Sequence, residues 1–255
     1  MFYMEFFDKK MYIVGSGPGD PELLTVKAYR ILEKAQVILF DNLINTELLN
    51  LAPKNCIKEY VGKCPYGKYV PQEDINKRIL YFCAKYDRVV RLKGGDPYLF
   101  GRGYEEWAEA INSGIHVEYV PGISSMQGAG VNAIPLTHRG VSDGVWAITG
   151  TKTDGSFSSD LALAVQCKST VVIYMGMRKL HEIARMYVWS EKGGTPVAVI
   201  QHATLPQQRI AIGEVKDLVK MCAAENIGHP AIIVIGPVVN LQYVLTGMLA
   251  KRHVV

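Results

Sequence analysis

The stretch Met11-Tyr12-Ile13-Val14-Gly15-Ser16-Gly17-Pro18-Gly19-Asp20-Pro21-Glu22 constrains the fold more than any other part of the chain. Tyr12, Ile13 and Val14 suit a strand. Gly15, Gly17 and Gly19 then let the backbone turn tightly and let a ligand approach it closely. Asp20 has the chemistry of an N-cap, Pro21 fits a first helical position, and Glu22 complements the positive end of a helix. The pattern predicts strand, glycine turn and helix start, which is the opening of an α/β layer. In such sheets the carboxyl end of the strand is where ligands bind. A phosphate needs free backbone N–H groups and often a lysine. Pro18 removes one donor, Asp20 adds a negative charge, and no Gly-Lys-Ser/Thr follows. Asp20 also occupies the third glycine position of the dinucleotide fingerprint. The turn therefore suits a ligand other than a phosphate, or a tight turn with no ligand.

The same grammar recurs. Val37-Ile38-Leu39-Phe40 ends at Asp41, Ile57-Lys58-Glu59-Tyr60-Val61 at Gly62-Lys63, and Arg88-Val89-Val90-Arg91-Leu92 at Lys93-Gly94-Gly95-Asp96-Pro97. Val117-Glu118-Tyr119-Val120 stops at Pro121-Gly122. Between these strands, helical spacing links Leu24, Ala28, Ile31, Leu32 and Ala35, then Ile75, Ile79, Leu80 and Cys83, then Trp107, Ala110 and Ile111. Strands alternating with helices predict a parallel layer in an α/β domain over residues 1–121. Asp41 and Lys63 fall on the same rim as the glycine turns. Asp41 reads equally as a loop cap, a ribose-binding acid or a catalytic base. Residues 122–255 alternate too, through Val145–Thr149, Thr170–Met175, Val197–Ile200, Arg209–Ile212 and Ala231–Ile235. Only Pro206 and a few neighbours separate the third of these from the fourth, so this second α/β domain is expected to hold a mixed sheet. Thr151 to Ser159 is polar and reads as a loop.

Composition narrows the function. Of 255 residues, 49% are hydrophobic, enough for a large core in one big domain or two modest ones. A net charge of +4 is no nucleic-acid signature, though it would suit an acidic small molecule. The five cysteines are scattered and form no C-x-x-C, which points to reduced thiols in the cytoplasm. No His/Cys spacing matches a metal site. The apolar opening of the chain is interrupted by acids and too short for a signal peptide, and no apolar run reaches membrane-spanning length.

Val14-Gly15-Ser16-Gly17-Pro18-Gly19-Asp20-Pro21 with Leu23-Leu24-Thr25 resembles the opening signature of the tetrapyrrole methylases. Val89 to Pro97 with Phe100-Gly101-Arg102-Gly103-Tyr104-Glu105-Glu106 resembles their second signature. Val120-Pro121-Gly122-Ile123-Ser124-Ser125, Pro135-Leu136-Thr137-His138-Arg139 and Tyr174-Met175-Gly176 continue the likeness in order. Gly62-Lys63, Val70-Pro71-Gln72-Glu73 and Pro135–Arg139 tilt it toward members that transfer two methyl groups from S-adenosyl-L-methionine to uroporphyrinogen III, giving precorrin-2 for sirohaem and cobalamin. The resemblance implies two α/β domains with the cofactor folded into the cleft between them, usually in a homodimer.

By position, it assigns cofactor contacts to Pro18, Gly94, Gly95, Asp96, Leu99, Ser124, Ser125, Met175, Ala203, Pro230 and Ala231. Ser125 departs from the usual alanine, and Ala203 stands where some relatives carry glycine. Asp41 matches the family's proton acceptor and Lys63 its proton donor. The methyl acceptor bears many carboxylates, for which Arg102, His138 and Arg139 are the expected partners, ahead of Arg91 and Lys93. A surface salt bridge is an equal alternative for Arg91. The product left from the cofactor would be S-adenosyl-L-homocysteine, and no metal is needed.

Overall fold

The computed structural model describes residues 10–62, 70–152 and 154–242. They form two compact units, one reaching to Ser124 and the other starting at Ser125.

The first unit is built on β1 (Lys10–Gly15), β2 (Val37–Phe40), β3 (Ile57–Tyr60), β4 (Arg88–Lys93) and β5 (His116–Val120). Their order is β3-β2-β4-β1-β5, and every pair is parallel, as the alternation of strand and helix predicts. Parallel strands covered on both faces read as continuous apolar runs. Here Val14, Ile38, Val90, Leu92 and Val120 pack on one face with Ala28 and Leu32 of α1 (Val26–Leu32). Met11, Ile13, Leu39 and Val89 pack on the other. There they meet Ile79 and Cys83 of α2 (Gln72–Lys85) and Ala110 of α3 (Gly103–Asn112). Because the strands are parallel, all five carboxyl ends share one rim.

One helix start differs from the sequence reading. Asp20 does cap a helical turn, its Oδ1 accepting from Glu22 N at 2.9 Å, but that turn is a short 3-10 segment, Pro21–Leu23. The backbone is extended again at Leu24, and α1 begins only where Thr25 Oγ1 accepts from Ala28 N at 3.2 Å. Two cap residues in succession divide what looked like one helix.

The second unit contains β6 (Val145–Thr149), β7 (Thr170–Tyr174), β8 (Pro196–Gln201), β9 (Arg209–Glu214) and β10 (Ala231–Ile235) in the order β6-β7-β10-β8-β9. β6 and β7 are parallel, and β10 runs antiparallel to both β7 and β8. β8 and β9 are antiparallel, so the sheet is mixed as expected. One face carries α4 (Asp160–Ala164), α5 (Leu180–Trp189) and α6 (Leu218–Ala224), packed through Leu161, Ile183 and Leu218 onto Val171, Ile173 and Val199. The other face is covered by Ala129 and Ile134 and by Val238 and Val239, against Val172, Ala198 and Val234. The second unit opens with a 3-10 stretch, Ser125–Asn132, in which Gly128 and Ala129 are buried.

Candidate active site at the carboxyl rim of the first sheet

The rim is closed by loops in backbone contact. Ser16 N donates to Lys93 O at 2.8 Å, and Gly95 N donates to Gly17 O at 2.8 Å, so the loops after β1 and β4 are joined side by side. A Cβ on Gly15 would lie 2.5 Å from Gly122 N and 2.6 Å from Gly95 O. No side chain fits there, and Gly95 also holds φ +64°. The loop after β2 joins the same group: Asn45 Nδ2 donates to Gly19 O at 3.1 Å, and Leu43 lies 2.8 Å from where a Cβ on Gly94 would sit. Pro18 stands half-buried at the tip of the first loop.

Asp96 braces the rim from within. Its Oδ1 accepts from Tyr98 N at 2.8 Å, and its Oδ2 accepts from Tyr119 Oη at 2.6 Å and Gly122 N at 3.1 Å. Tyr98 stacks on Tyr119 with ring centroids 4.0 Å apart. Burial, then the hydrogen bond to Asp96, raises the Tyr119 phenol well above its ordinary pKa, so it stays a donor. The Asp96 carboxylate thus serves its own chain, and the loop presents the backbone of Gly94 and Gly95. Leu99 follows, half-buried.

A charged cluster lies beneath the rim. Val89 packs in the core beside α2 and α3, and the strand period of two carries Arg91 and Lys93 to that same face. Both are buried, at 2% and 5% exposure, and so is Glu106 of α3 at 1%. Arg91 Nη2 donates to Asp41 Oδ2 at 3.0 Å, its Nε to Glu106 Oε1 at 3.3 Å, and its Nη1 to Leu92 O at 2.9 Å. Lys93 Nζ and Gln72 Nε2 also donate to Glu106 Oε1, each at 3.1 Å. Asp41 Oδ1 accepts from Leu43 N at 3.0 Å. Asp41 is therefore both a loop cap and one end of an ion pair. Arg91 is not a surface salt bridge, because it is enclosed and its fork is occupied. Burial alone would lower its pKa, but Glu106 and Asp41 hold it above the ordinary value. Lys93 goes the other way: burial, then the Arg91 charge, lowers its pKa against the pull of Glu106 and Asp41.

In the second unit, Met175 follows β7 in the left-handed region at φ +54°, half exposed, with its carbonyl accepting from Thr151 Oγ1 at 3.0 Å. Met126 N donates to Tyr174 Oη at 3.1 Å, which ties the segment beginning at Ser125 to that strand end. Ala203 is buried, with Gly128 so close that a Cβ there would lie 2.8 Å from the Ala203 methyl. His202 N donates to Pro230 O at 3.2 Å, and Ala231 pairs with Gln201. Because β10 is antiparallel to its neighbours, Met175, Ala203, Pro230 and Ala231 share one rim of the second sheet. Ser124 is buried at the end of the first unit.

Of the expected carboxylate partners, Arg102 is exposed and pairs with Glu105 through Nε at 2.9 Å and Nη2 at 2.6 Å. His138 and Arg139 sit in an exposed turn, where His138 Nδ1 lies 2.9 Å from Arg139 O. Lys63 lies outside the described residues. Sequence reasoning missed the parts played by Asn45, Gln72, Glu106 and Tyr119. Glu106 and Gln72 carried a signal, as the end of the second signature and as part of Val70-Pro71-Gln72-Glu73, but neither pointed to the ion cluster. Among the described residues, no group of three or more His, Cys, Asp and Glu could hold a metal ion, and no helix is long and apolar enough to cross a membrane.

A rim of glycine backbone at the carboxyl ends of a parallel sheet is where α/β proteins bind small molecules. Residues 10–219 match the family described as Tetrapyrrole (Corrin/Porphyrin) Methylases, and the chain belongs to that family. The uroporphyrinogen-III C-methyltransferase of Bacillus subtilis is 41% identical over 239 residues, 92% of this chain and 93% of that protein. The siroheme synthase of Chromobacterium violaceum is 42% identical over 233 residues, 91% of this chain but 50% of that protein, so the chain spans about half the length of such relatives. A crystal structure of uroporphyrin-III C-methyl transferase from Thermus thermophilus, complexed with S-adenyl homocysteine, is similar at a TM-score of 0.80 and 36% identity, covering 91% of this chain and 99% of that one.

Proposed function

We propose that this chain is an S-adenosyl-L-methionine-dependent C-methyltransferase that places two methyl groups on uroporphyrinogen III to give precorrin-2, working in the cytoplasm as a homodimer. The observation that carries this reading is the rim itself: glycine backbone packed too tightly for any side chain, with Asp41 beside it on a buried arginine. The cofactor fits the residues present. It has no phosphate, which agrees with Pro18 and Asp20 in the first turn, and Gly94, whose Cβ direction is taken up by Leu43, keeps the loop after β4 close against its neighbours at the rim. The similar proteins named above act on uroporphyrinogen III or make sirohaem, by their names, and one was solved with the demethylated cofactor.

In this reading Pro18, Gly94, Gly95, Asp96 and Leu99 contact the cofactor, and Asp96 also fixes the loop that does so. Ser124, Ser125, Met175, Ala203, Pro230 and Ala231 make the remaining cofactor contacts. When bound, S-adenosyl-L-methionine supplies a methyl group on a sulfonium centre. The chain's task is to align the acceptor carbon and exclude water. Methylating a pyrrole carbon obliges the macrocycle to lose a proton elsewhere. Asp41 accepts that proton on the carboxylate held by Arg91; where Lys63 donates a proton to one position of the macrocycle, a second proton leaves another position to solvent, so that one proton is lost in net for each methyl gained. Arg102, His138 and Arg139 hold acidic side chains of the macrocycle.

The test is anaerobic incubation of the protein with uroporphyrinogen III and methyl-labelled cofactor. Precorrin-2 absorbance and two labelled methyls per macrocycle are expected. Cofactor binding without label reaching the macrocycle overturns the assigned substrate. Sedimentation at micromolar concentration tests the homodimer.

A further inference from the structure

Among the described residues, Glu106 is the one buried carboxylate. Its two oxygens are used unequally. Oε1 receives Gln72, Arg91 and Lys93, while Oε2 is buried with no hydrogen-bond partner. A buried charge left half-satisfied is costly, and such a cost needs an explanation. Charge balance alone does not explain it, because a carboxylate balancing Lys93 need not touch Arg91.

The geometry of Arg91 supplies the explanation. A guanidinium is planar and its donors are fixed relative to one another. Glu106 takes Nε and the Leu92 carbonyl takes Nη1, so the direction of Nη2 is settled, and Nη2 is the nitrogen on Asp41. Charged groups facing Asp41 come from β4 (Arg91 and Lys93) and from α3 (Glu106, with Glu105 farther off toward Lys93). From β3 comes the Tyr60 hydroxyl, next to Gly62 and the Asp41 backbone, and α2 offers the neutral Gln72.

We propose that Glu106 is a positioning residue for methyl transfer: by gripping Nε of Arg91 it aims the guanidinium at Asp41, and Gln72 fixes its own rotamer from α2. The proposal rests on the reading of Asp41 as proton acceptor. Glu106 itself touches neither substrate nor cofactor.

The test compares E106Q, E106Q/K93M and R91K with the wild type. The double variant removes one buried cation together with the buried anion, leaving Arg91 against Asp41, so it keeps the balance of charge and guards against a folding failure of E106Q. In E106Q/K93M, kcat is expected to fall about tenfold while KM for the cofactor stays within about twofold, as for a misplaced group rather than a lost binding contact. The Arg91 Nε–Hε signal in nitrogen-edited NMR, expected to exchange slowly in the wild type because the group is buried and bonded to Glu106, should shift and exchange faster in the double variant. R91K keeps the charge but loses the fork, and is expected to show the same loss in kcat. Wild-type kcat in either E106Q/K93M or R91K, or an unchanged Arg91 signal without Glu106, overturns the proposal. D41N separates the two claims. If D41N turns over at the wild-type rate, the reading of Asp41 fails, and the Arg91 signal still decides whether Glu106 aims the guanidinium.

Discussion

Both units bury neutral thiols, Cys56 in the first and Cys222 in the second, but among the described residues only the first buries charged side chains. In the first, Arg91, Lys93 and Glu106 are enclosed as ions, each paired, with Asp41 as the half-exposed outlet of the cluster. In the second, the enclosed ionisable groups are Cys222 and Tyr187, which burial holds neutral. The Cys222 thiol is pushed up to about 11, and the Tyr187 phenol is raised as well. The contrast shows where the molecule spends stability. Burying a charge is worthwhile only if it does something a packed apolar side chain cannot. The first unit pays that cost directly beneath its strand-end rim, while the second, among the described residues, buries hydroxyl side chains such as Ser142 and Thr170, bonded to each other, but no charge.

The largest expected effect tests the paired ions. Glu106→Ala leaves Arg91 and Lys93 without their shared carboxylate, and should destabilise the protein by about 3–5 kcal/mol in urea unfolding. A loss below about 1 kcal/mol would mean the cluster is not held as ions, and the contrast would fall.

Next comes the neutral thiol. Cys222 has a folded pKa of about 11 against an ordinary 9.0. The unfolded chain therefore releases this proton first, and stability is lost as pH rises from about 9 to about 11. The amount is about 2–3 kcal/mol. Cys222→Ala should remove this part of the alkaline loss, read as a flatter stability profile above pH 9. Lys93 acts with the opposite sign. Its folded pKa lies below its ordinary value, so its contribution to stability rises as pH climbs toward 10.5. Lys93→Met should abolish that rise.

The smallest effect sharpens the comparison from outside the core. The Arg102–Glu105 pair is exposed, with side chains 44% and 52% accessible. Arg102→Gln should change stability by less than about 1 kcal/mol. If Arg102 holds a substrate carboxylate, KM for the porphyrinogen rises while thermal stability barely moves.

Much of the architecture was legible in the sequence. Largely apolar runs such as Val37–Phe40, stopped by Asp41, and Val89–Leu92, stopped by Lys93-Gly94-Gly95-Asp96, mark strands whose ends form the rim. The closeness of Arg209–Ile212 to Val197–Ile200 announced an antiparallel pair, and β8 and β9 form one. Strand order was not legible, because nothing local says that β10 inserts between β7 and β8. The family signatures picked out the rim loops residue by residue. They did not disclose the charged cluster, since Arg91 finds Asp41 and Glu106 50 and 15 residues away. An arginine within an apolar strand reads as a solvated side chain until its partners are located. Tyr119 and Asn45 were missed for the same reason: each acts on a loop distant in the chain, at Asp96 and at Gly19.

The central place of β10 also orders events during synthesis. The first sheet is complete once Val120 has emerged, because every strand it needs lies earlier in the chain. The second cannot join its β6–β7 ribbon to its β8–β9 hairpin until Ala231–Ile235 leaves the ribosome and slots in as keystone. For that interval the growing chain carries a finished lobe followed by two open apolar edges, the state in which a nascent protein most needs a chaperone.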